Sequence, residues 1–560
     1  MRKTLSIVLG LIMIVSLFSF GTSAAEGEAI KDAAGFAAMK EDGKYYLDAD
    51  ISISASYDKN FVGVLDGNGH TVTVTAPLFA EFGGTVKNLT IDGEIAATGN
   101  AGALAAKVTA TYTDSFLDYA LVQNVTNKAK VTLTIDPAFA PATAAERVAV
   151  GGFTGNAVEY ATIRFESCVN EGDVTTLYTG EAKPIENYAG GFVGRCDAME
   201  AFECENKGNV TAENGTAVIG GFIGRASWNA LTNYVNFEYC TNNGNVTSGY
   251  DAGGIIGYAG LGSNICAYDM GNTPYRYFAC INTGTIQGTH YCGGIVGYNY
   301  TNGGDINQTF DLEFCLNTGK IIGKQWGSNF ISYSNSKFNT LCYNIGIGEF
   351  EALPDATEYF PTFLGCSSVN YADDENIHHN YVVDDAGKIR WTNWATADSN
   401  EGNRHNAQWG WDNNKWTKVT AADLATGQIC YEINKAAGIN GLNQTIGADA
   451  TPTPSKASAF VVKDGSNYKN GTNPEFKELE AYAITDEVTT EKITKAVTTK
   501  AATTAEVTTA EPGTQAPADD VTTAAPTTEP APSGGCKSVV GIGVAVVAML
   551  GIAYVSKKRF

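Results

Sequence analysis

Cysteine, asparagine and glycine recur in one fixed phrase: CVNEGDV at 168, CENKGNV at 204, CTNNGNV at 240, CINTGTI at 280, CLNTGKI at 315 and CYNIGIG at 342. Residues of these types can ligate a metal, pair as disulfides or build a scaffold. A metal site is not expected, because the phrase holds no C-x-x-C and no histidine stands near it. Twelve cysteines in a secreted chain invite a disulfide framework. Repeated cysteines stacked at the strand spacing of about 4.8 Å lie too far apart, however, for the Cβ separation of about 3.8 Å that a disulfide prefers. The expected role is a ladder of buried thiols, Cys168, Cys204, Cys240, Cys280, Cys315 and Cys342, filling space as small apolar groups. The irregular Cys196, Cys266, Cys292 and Cys366 leave room for isolated disulfides. Asn170, Asn206, Asn242, Asn282, Asn317 and Asn344 are expected to form an amide ladder alongside, with asparagine accepting a left-handed corner and the following glycine freeing a sharp turn.

Catalytic patterns are sparse. None of the five histidines (His70, His290, His378, His379, His405) stands in H-E-x-x-H, and there is no G-x-S-x-G elbow, Walker motif or complete EF-hand loop. His378 and His379 beside Asp373, Asp374 and Glu375 read as an exposed polar loop. Glu166, Glu238 and Glu313 share one register two residues before the cysteine, but in alternate coils, so their separation of nearly 10 Å would suit an inverting glycosidase only loosely. Two groups suit binding better. Asn156, Arg195, Arg225, Tyr258 and Tyr298 occupy equivalent positions in successive repeats, and an outward column of them would offer hydrogen-bonding and aromatic groups to a glycan or protein chain. Trp391, Trp394, Trp409, Trp411 and Trp416 form either a small satellite core or a set of flat rings for sugars, with Trp409 and Trp411 the ligand-binding candidates.

The elements that position these residues follow from the repetition. A Gly-Gly phrase, VGGFTG at 150, AGGFVG at 189, IGGFIG at 219, AGGIIG at 252 and CGGIVG at 292, precedes each of the first five cysteine phrases. Each unit reads as three short strands: the Gly-Gly strand, a strand ending at the Cys-x-Asn-x-Gly corner, and a Val/Ile-Thr strand. Three strands per unit with Gly/Asn corners and no helix signal predict an all-β fold, a right-handed parallel β-helix (solenoid) over 26–350. NVTNKAKVTLT at 124 fits the frame with Val125 in the cysteine place and Ala129 in the glycine place. WGSNF at 326 stands where the sixth Gly-Gly phrase would be, so the pattern fades there.

The GGFVG and GGIVG phrases followed by x-Cys-x-Asn-x-Gly-x-Val resemble GLUG repeats, known from bacterial surface proteins that include IgA-specific metallopeptidases. FVGVLDGNGHTV at 61 and GTVKNLTIDG at 84 resemble the opening coils that commonly precede such repeats, and Phe or Ile replaces the leucine of the motif's name. What the resemblance implies is a scaffold. The peptidases' zinc site is not carried over. TAADLATGQICYEINKAAG at 420, followed by the Gln-x-Ile-Gly-x-Asp phrase at 444, resembles the short helix and phrase often found after such repeats. It places a small α+β, Trp-rich C-terminal module over 351–485.

The ends point to export and anchoring. Arg2-Lys3, an apolar run from Leu5 to Phe20 and small residues to Ala25 read as a signal peptide over 1–25. Residues 486–535, rich in Thr, Ala and Pro, read as a disordered stalk, which at about 3 Å per residue could reach on the order of 150 Å. The apolar run Val539–Val555 reads as a single transmembrane helix over 536–556, with the basic 557–560 tail inside. A net charge of −23, spread thinly with 17% charged residues, argues against nucleic acid as a partner. The expected protein is a membrane-anchored surface adhesin for an extracellular glycan or protein, needing no cofactor. The alternatives are a polysaccharide lyase or hydrolase on the same scaffold, and a passive surface spacer.

Overall fold

Alternation of Val, Ile and Thr with polar residues gives short strands with one inward face, and the recurrence of the pattern stacks each strand on its own copy. The structure, a computed structural model, describes residues 26–110, 119–138, 147–180, 187–213, 217–226, 234–261, 275–301, 309–334, 337–356, 360–367, 376–384, 416–456 and 460–471. Among them the pairing is parallel from Glu28 to Val419. The Gly-Gly strands stack Val150 on Ala189, Ile219, Ala252, Cys292 and Gly327. The corner strands stack Asn127 on Asn170, Asn206, Asn242, Asn282 and Asn317. The third strands stack Val131 on Val174, Val210, Val246, Ile286, Ile321 and Phe350. The chain is a parallel β-solenoid, as its repeats predict.

The interior is a set of like-on-like columns. Phe153, Phe192, Phe222, Ile255, Ile295 and Phe330 are fully buried. The Phe153 and Phe192 rings stand 4.9 Å apart and the Phe192 and Phe222 rings 4.5 Å. The expected thiol column is present from Cys168 to Cys315. Cys168, Cys204, Cys240, Cys280 and Cys315 are buried free thiols, each donating to a backbone carbonyl, for example Cys240 Sγ to Ala201 O at 3.2 Å.

The amide ladder runs beside it. Asn127 Nδ2 donates to Asn170 Oδ1 (2.7 Å), Asn170 to Asn206 (2.8 Å), Asn206 to Asn242 (2.7 Å), Asn242 to Asn282 (2.7 Å) and Asn282 to Asn317 (2.7 Å). The second amide hydrogen of each goes to a carbonyl two residues on, as from Asn242 to Gly244 at 2.9 Å. Both donors are satisfied in a site closed to water, so the column carries no orphaned donor.

Two expectations about this corner are corrected. The left-handed residue is not the asparagine but the one before the cysteine: Ser167, Glu203, Tyr239, Ala279 and Phe314 have φ between 51° and 55°, and in the last copy Tyr343 (63°) holds the same place before Asn344. The glycine does not supply a positive φ either. A Cβ on Gly208 would collide with the Gly172 carbonyl of the coil before it, so glycine is required for close backbone approach.

The last copy is also re-registered. Leu316 pairs with Ile345 and Asn317 with Gly346, which puts Cys342 opposite Glu313 and Asn344 opposite Cys315. Cys342 and Asn344 therefore leave the thiol and amide columns assigned to them. Asn344 takes the cysteine place, receiving the Cys315 backbone N–H (2.8 Å) and donating to Asn380 Oδ1 (2.9 Å). The parallel ladder also passes residue 350, the expected end: Ile345 pairs with Tyr381 and Asn380 with Trp416. Backbone pairing sets the coil, so it continues where the cysteine spelling stops.

Beyond the ladder, helices form at Ala421–Ala425, opened by a Thr420/Asp423 capping box, and at Gln428–Ala437, closed by left-handed Gly438. A hairpin pairs Phe460–Asp464 with Asn467–Gly471. Leu424, Ile429, Cys430, Ile433, Leu442 and Val461 bury against Phe278, Phe314, Ile345 and Tyr381 of the solenoid corner. Gln444 of the Gln-x-Ile-Gly-x-Asp phrase is buried and donates to Leu424 O at 2.8 Å and Asp449 O at 3.2 Å, a structural clasp. Among the described residues no helix is long and apolar enough to cross a membrane. The expected signal, stalk and span all lie outside the described residues.

Candidate functional site

The turn after each Gly-Gly pair sends the next strand off with alternating faces, so one residue per coil projects outward at a fixed place. Those residues are Lys107, Asn156, Arg195, Arg225, Tyr258, Tyr298 and Tyr333, each paired in parallel with the next. The predicted column of Asn156, Arg195, Arg225, Tyr258 and Tyr298 is thus one physical strip, and all five are half-buried.

The tyrosine end is a stack. Tyr258 and Tyr298 rings are 4.9 Å apart and Tyr298 and Tyr333 4.7 Å, close to the coil spacing. Tyr291 leans in at 5.0 Å from Tyr298. Ring faces are spent on each other, which leaves edges and hydroxyls for anything outside. Burial pushes the Tyr258 phenol up to about 12 and raises that of Tyr298 further, so both are neutral donors at any physiological pH. Neither hydroxyl is hydrogen-bonded among the described residues.

The arginine end is built around Tyr188, a fully buried side chain from the preceding strand. Arg147 Nη1 and Arg225 Nη1 both donate to Tyr188 Oη, at 2.7 and 2.6 Å. Arg225 lies 5.2 Å over the Tyr188 ring and 4.6 Å over Tyr258, which joins the two ends through a cation held between aromatic rings. Beside the strip, His290 Nδ1 stands 3.0 Å from Asp251 Oδ1 and its ring stacks on Tyr250 at 4.7 Å. Burial holds the Asp251 carboxyl above the usual range despite that partner.

Tyr188, Tyr291, Tyr333 and Arg147 escape a reading of the repeats alone. A signal for two of them exists: Tyr188 and Tyr291 stand two residues before the first glycine in YAGG and YCGG, and the same register holds Asp251.

The glutamates occupy the register assigned to them, alternating with aromatics as Glu166, Phe202, Glu238, Phe278 and Glu313. Glu166 is ion-paired with Arg164, Nε to Oε1 at 2.6 Å, and Glu238 pairs with Arg276 Nη1, while the two guanidiniums cover Phe202 and Phe278 at 4.7 Å each. Two of the three carboxylates are thus held in partly buried ion pairs two coils apart. Glu313 differs. Burial first, then the neighbouring Asp311 charge, raises its carboxyl, and Thr340 Oγ1 donates to Asp311 at 2.7 Å beside it.

Of the tryptophans, Trp416 is 6% exposed and closes the column above Asn380, so it is core. Trp391, Trp394, Trp409 and Trp411 lie outside the described residues. His378 lies opposite Cys342 at the end of the glutamate column, with His379 Nδ1 3.0 Å from its own Nδ1. Among the described residues no group of three His, Cys, Asp or Glu side chains could hold a metal.

The fold and strip define a class of protein, a parallel β-solenoid bearing a one-residue-per-coil surface column. No protein family, characterised protein or solved structure matches the chain in the three comparisons made.

Proposed function

We propose that the chain is a GLUG-repeat-like cell-surface binding protein, in which a right-handed β-helix presents the strip from Asn156 to Tyr333 to an extended extracellular ligand. The stalk 486–535 and the span 536–556 would hold the head away from the membrane. The observation that carries this reading is the strip itself: Arg195, Arg225, Tyr258 and Tyr298 stand in consecutive parallel pairs, at one side chain per coil. A scaffold alone needs no such column of half-buried polar aromatics and guanidiniums on its outer face.

The ion pairs of Glu166 and Glu238 weigh against hydrolysis by alternate-coil carboxylates, because both side chains are buried and engaged by arginine, out of reach of a glycosidic oxygen. The test is binding of full-length protein to an array of extracellular glycans and matrix proteins, with Tyr298→Ala beside the wild type. A ligand bound by the wild type and lost in the folded variant supports the strip. Equal binding by both would remove it.

A further inference from the structure

The tyrosine end of the strip broadens into a site that the repeats do not announce, and its chemistry names a ligand class, an inference that rests on the binding reading above. Tyr250 and His290 each stand two residues before the paired Ala252 and Cys292, and their rings stack at 4.7 Å. The His290 and Tyr291 rings lie 3.8 Å apart, Tyr291 lies 5.0 Å from Tyr298, and Tyr300 stacks on Tyr298 at 5.9 Å. These five rings form one patch across neighbouring coils. Val62 and Tyr250 are the large apolar side chains left exposed among the described residues, and Tyr250, at 40%, belongs to this patch. A buried acid fixes His290. Asp251 Oδ1 receives the Tyr291 backbone N–H at 3.2 Å, so it is an acceptor, and His290 Nδ1 donates to it at 3.0 Å. The neutral imidazole then carries its proton on Nδ1 and leaves Nε2 as an acceptor. Nε2 has no hydrogen-bond partner among the described residues, and the side chain is 26% exposed.

We propose that Tyr250, His290, Tyr258 and Tyr298 bind a neutral polysaccharide, a chain of uncharged hexoses. One sugar hydroxyl donates to His290 Nε2, others accept from the Tyr258 and Tyr298 phenols, and the C–H face of a sugar packs on Tyr250. Tyrosine rings held by one another lose little freedom on binding. A peptide is the poorer match. It gains affinity by adding to a free strand edge, whereas Tyr258 is already paired with Arg225 and Tyr298, and Tyr298 with Tyr333. A polyanion is opposed by the net charge of −23, and the groups offered to it here are phenols and an imidazole. Arg225, at the end of the row, already lies between the Tyr188 and Tyr258 rings.

The test is calorimetric titration of the full-length protein with cellohexaose, mannohexaose and maltohexaose, three neutral hexose chains, beside hyaluronan and gelatin. At least one hexaose should bind, with less than about a twofold change in affinity between about 0.05 and 0.5 M salt, because no charge is screened. Tyr250→Ala should weaken that binding about fivefold. His290→Asn keeps a donor for Asp251 and removes the Nε2 acceptor, and should weaken it by a similar factor. Tyr250 is exposed, so its variant keeps the test open should the His290 variant fold poorly. If a hexaose binds and is lost in Tyr298→Ala but not in Tyr250→Ala or His290→Asn, the strip stands and this site is overturned. Hexaose binding that falls steeply with salt overturns the uncharged mode of recognition. If no hexaose binds, the neutral polysaccharide is overturned. Hyaluronan or gelatin bound by the wild type and lost in Tyr298→Ala would then leave the strip reading standing, which falls only if the wider array also comes back empty.

Discussion

Asn317 Nδ2 donates a 2.6 Å hydrogen bond to Asn329 Oδ1, a residue only 12 positions ahead and on a different strand of the next coil. In every earlier step the ladder asparagine reaches a residue 35 to 43 positions ahead, its own copy. The exception is an exchange of partners across the interior. Gly294 faces Asn317, as the second glycine of each earlier pair faces its asparagine, but in the last coil Asn329 stands in the glycine's place and Gly346 in the asparagine's. One amide fills the space, contributed from the opposite wall.

That exchange predicts a double-mutant cycle. Asn329→Gly leaves Asn317 Nδ2 without its acceptor in a fully buried site and should cost about 1–3 kcal/mol. Gly346→Asn forces a second amide against Asn329 Cβ and Cγ, and should cost at least about 1–3 kcal/mol through overpacking. The double variant restores the arrangement of the earlier coils and should recover most of both losses. Urea denaturation of the three variants measures the coupling. Additive losses would mean that the two positions do not share one space.

Thiol reactivity offers a second check. Nine of the twelve cysteines are buried free thiols, and burial raises Cys168, Cys196 and Cys204 well above the ordinary thiol range. All nine are closed off from any reagent by burial, so they should stay silent toward a thiol reagent in native protein even at pH 9. They should all react in denaturant. Native labelling of more than the remaining three would contradict the ladder.

Glu313 predicts a pH dependence. Its folded carboxyl sits above the ordinary 4.5 through burial and Asp311. The folded state therefore holds its proton to higher pH than the unfolded state, and this site's contribution to stability falls as pH rises upward from about that value. Glu313→Gln keeps the shape and removes the titration. The variant should gain on the wild type in melting temperature as pH rises from 4 to 8. A constant difference across that range would show that the site does not titrate in the fold.

Much of this architecture is legible in the chain because the repeated residues point inward, where each copy meets the same neighbours. Cys168 to Cys315 and Asn170 to Asn317 share one inside environment, so selection of volume and hydrogen bonding repeats their letters. Cys342 matched the spelling yet stands two positions away, opposite Glu313, because strand register is set by backbone pairing and tolerates a change of side chain if another fills the gap. Asn329 does so from a strand whose letters give no hint of it. The outer strip is partly legible, since Arg195, Arg225, Tyr258 and Tyr298 follow the Gly-Gly phrase at a constant distance. Tyr188 is legible only by its place two residues before the first glycine, and its approach to Arg225 is not, because that is made by the bend between two strands. The corner residues carry a signal of their own. They turn from Ser167 and Glu203 to Tyr239, Phe314 and Tyr343, a change that tracks the coils covered by the C-terminal helices.

Trp416 closes the solenoid, and its removal should separate core from surface roles for the tryptophans. It pairs with Asn380 at the end of the column that runs on from Cys315 through Asn344, is 6% exposed, and leads through Val419 directly into the Thr420-capped helix. Trp416→Ala should cost about 3–5 kcal/mol through the cavity it leaves. The loss should be local, since a solenoid coil contacts chiefly its neighbours. Hydrogen exchange should rise at Asn380–Val383 and in Gln428–Ala437, while Asn187–Gly190 and Ile223–Ala226 keep their protection. Trp416→Phe should preserve most of the protection. Because the Tyr258 and Tyr298 pairing lies several coils away, ligand binding at the strip should survive the alanine variant at temperatures where the head stays folded. Exchange that rises uniformly along the chain would show instead that the ring supports the whole solenoid and not its last coil.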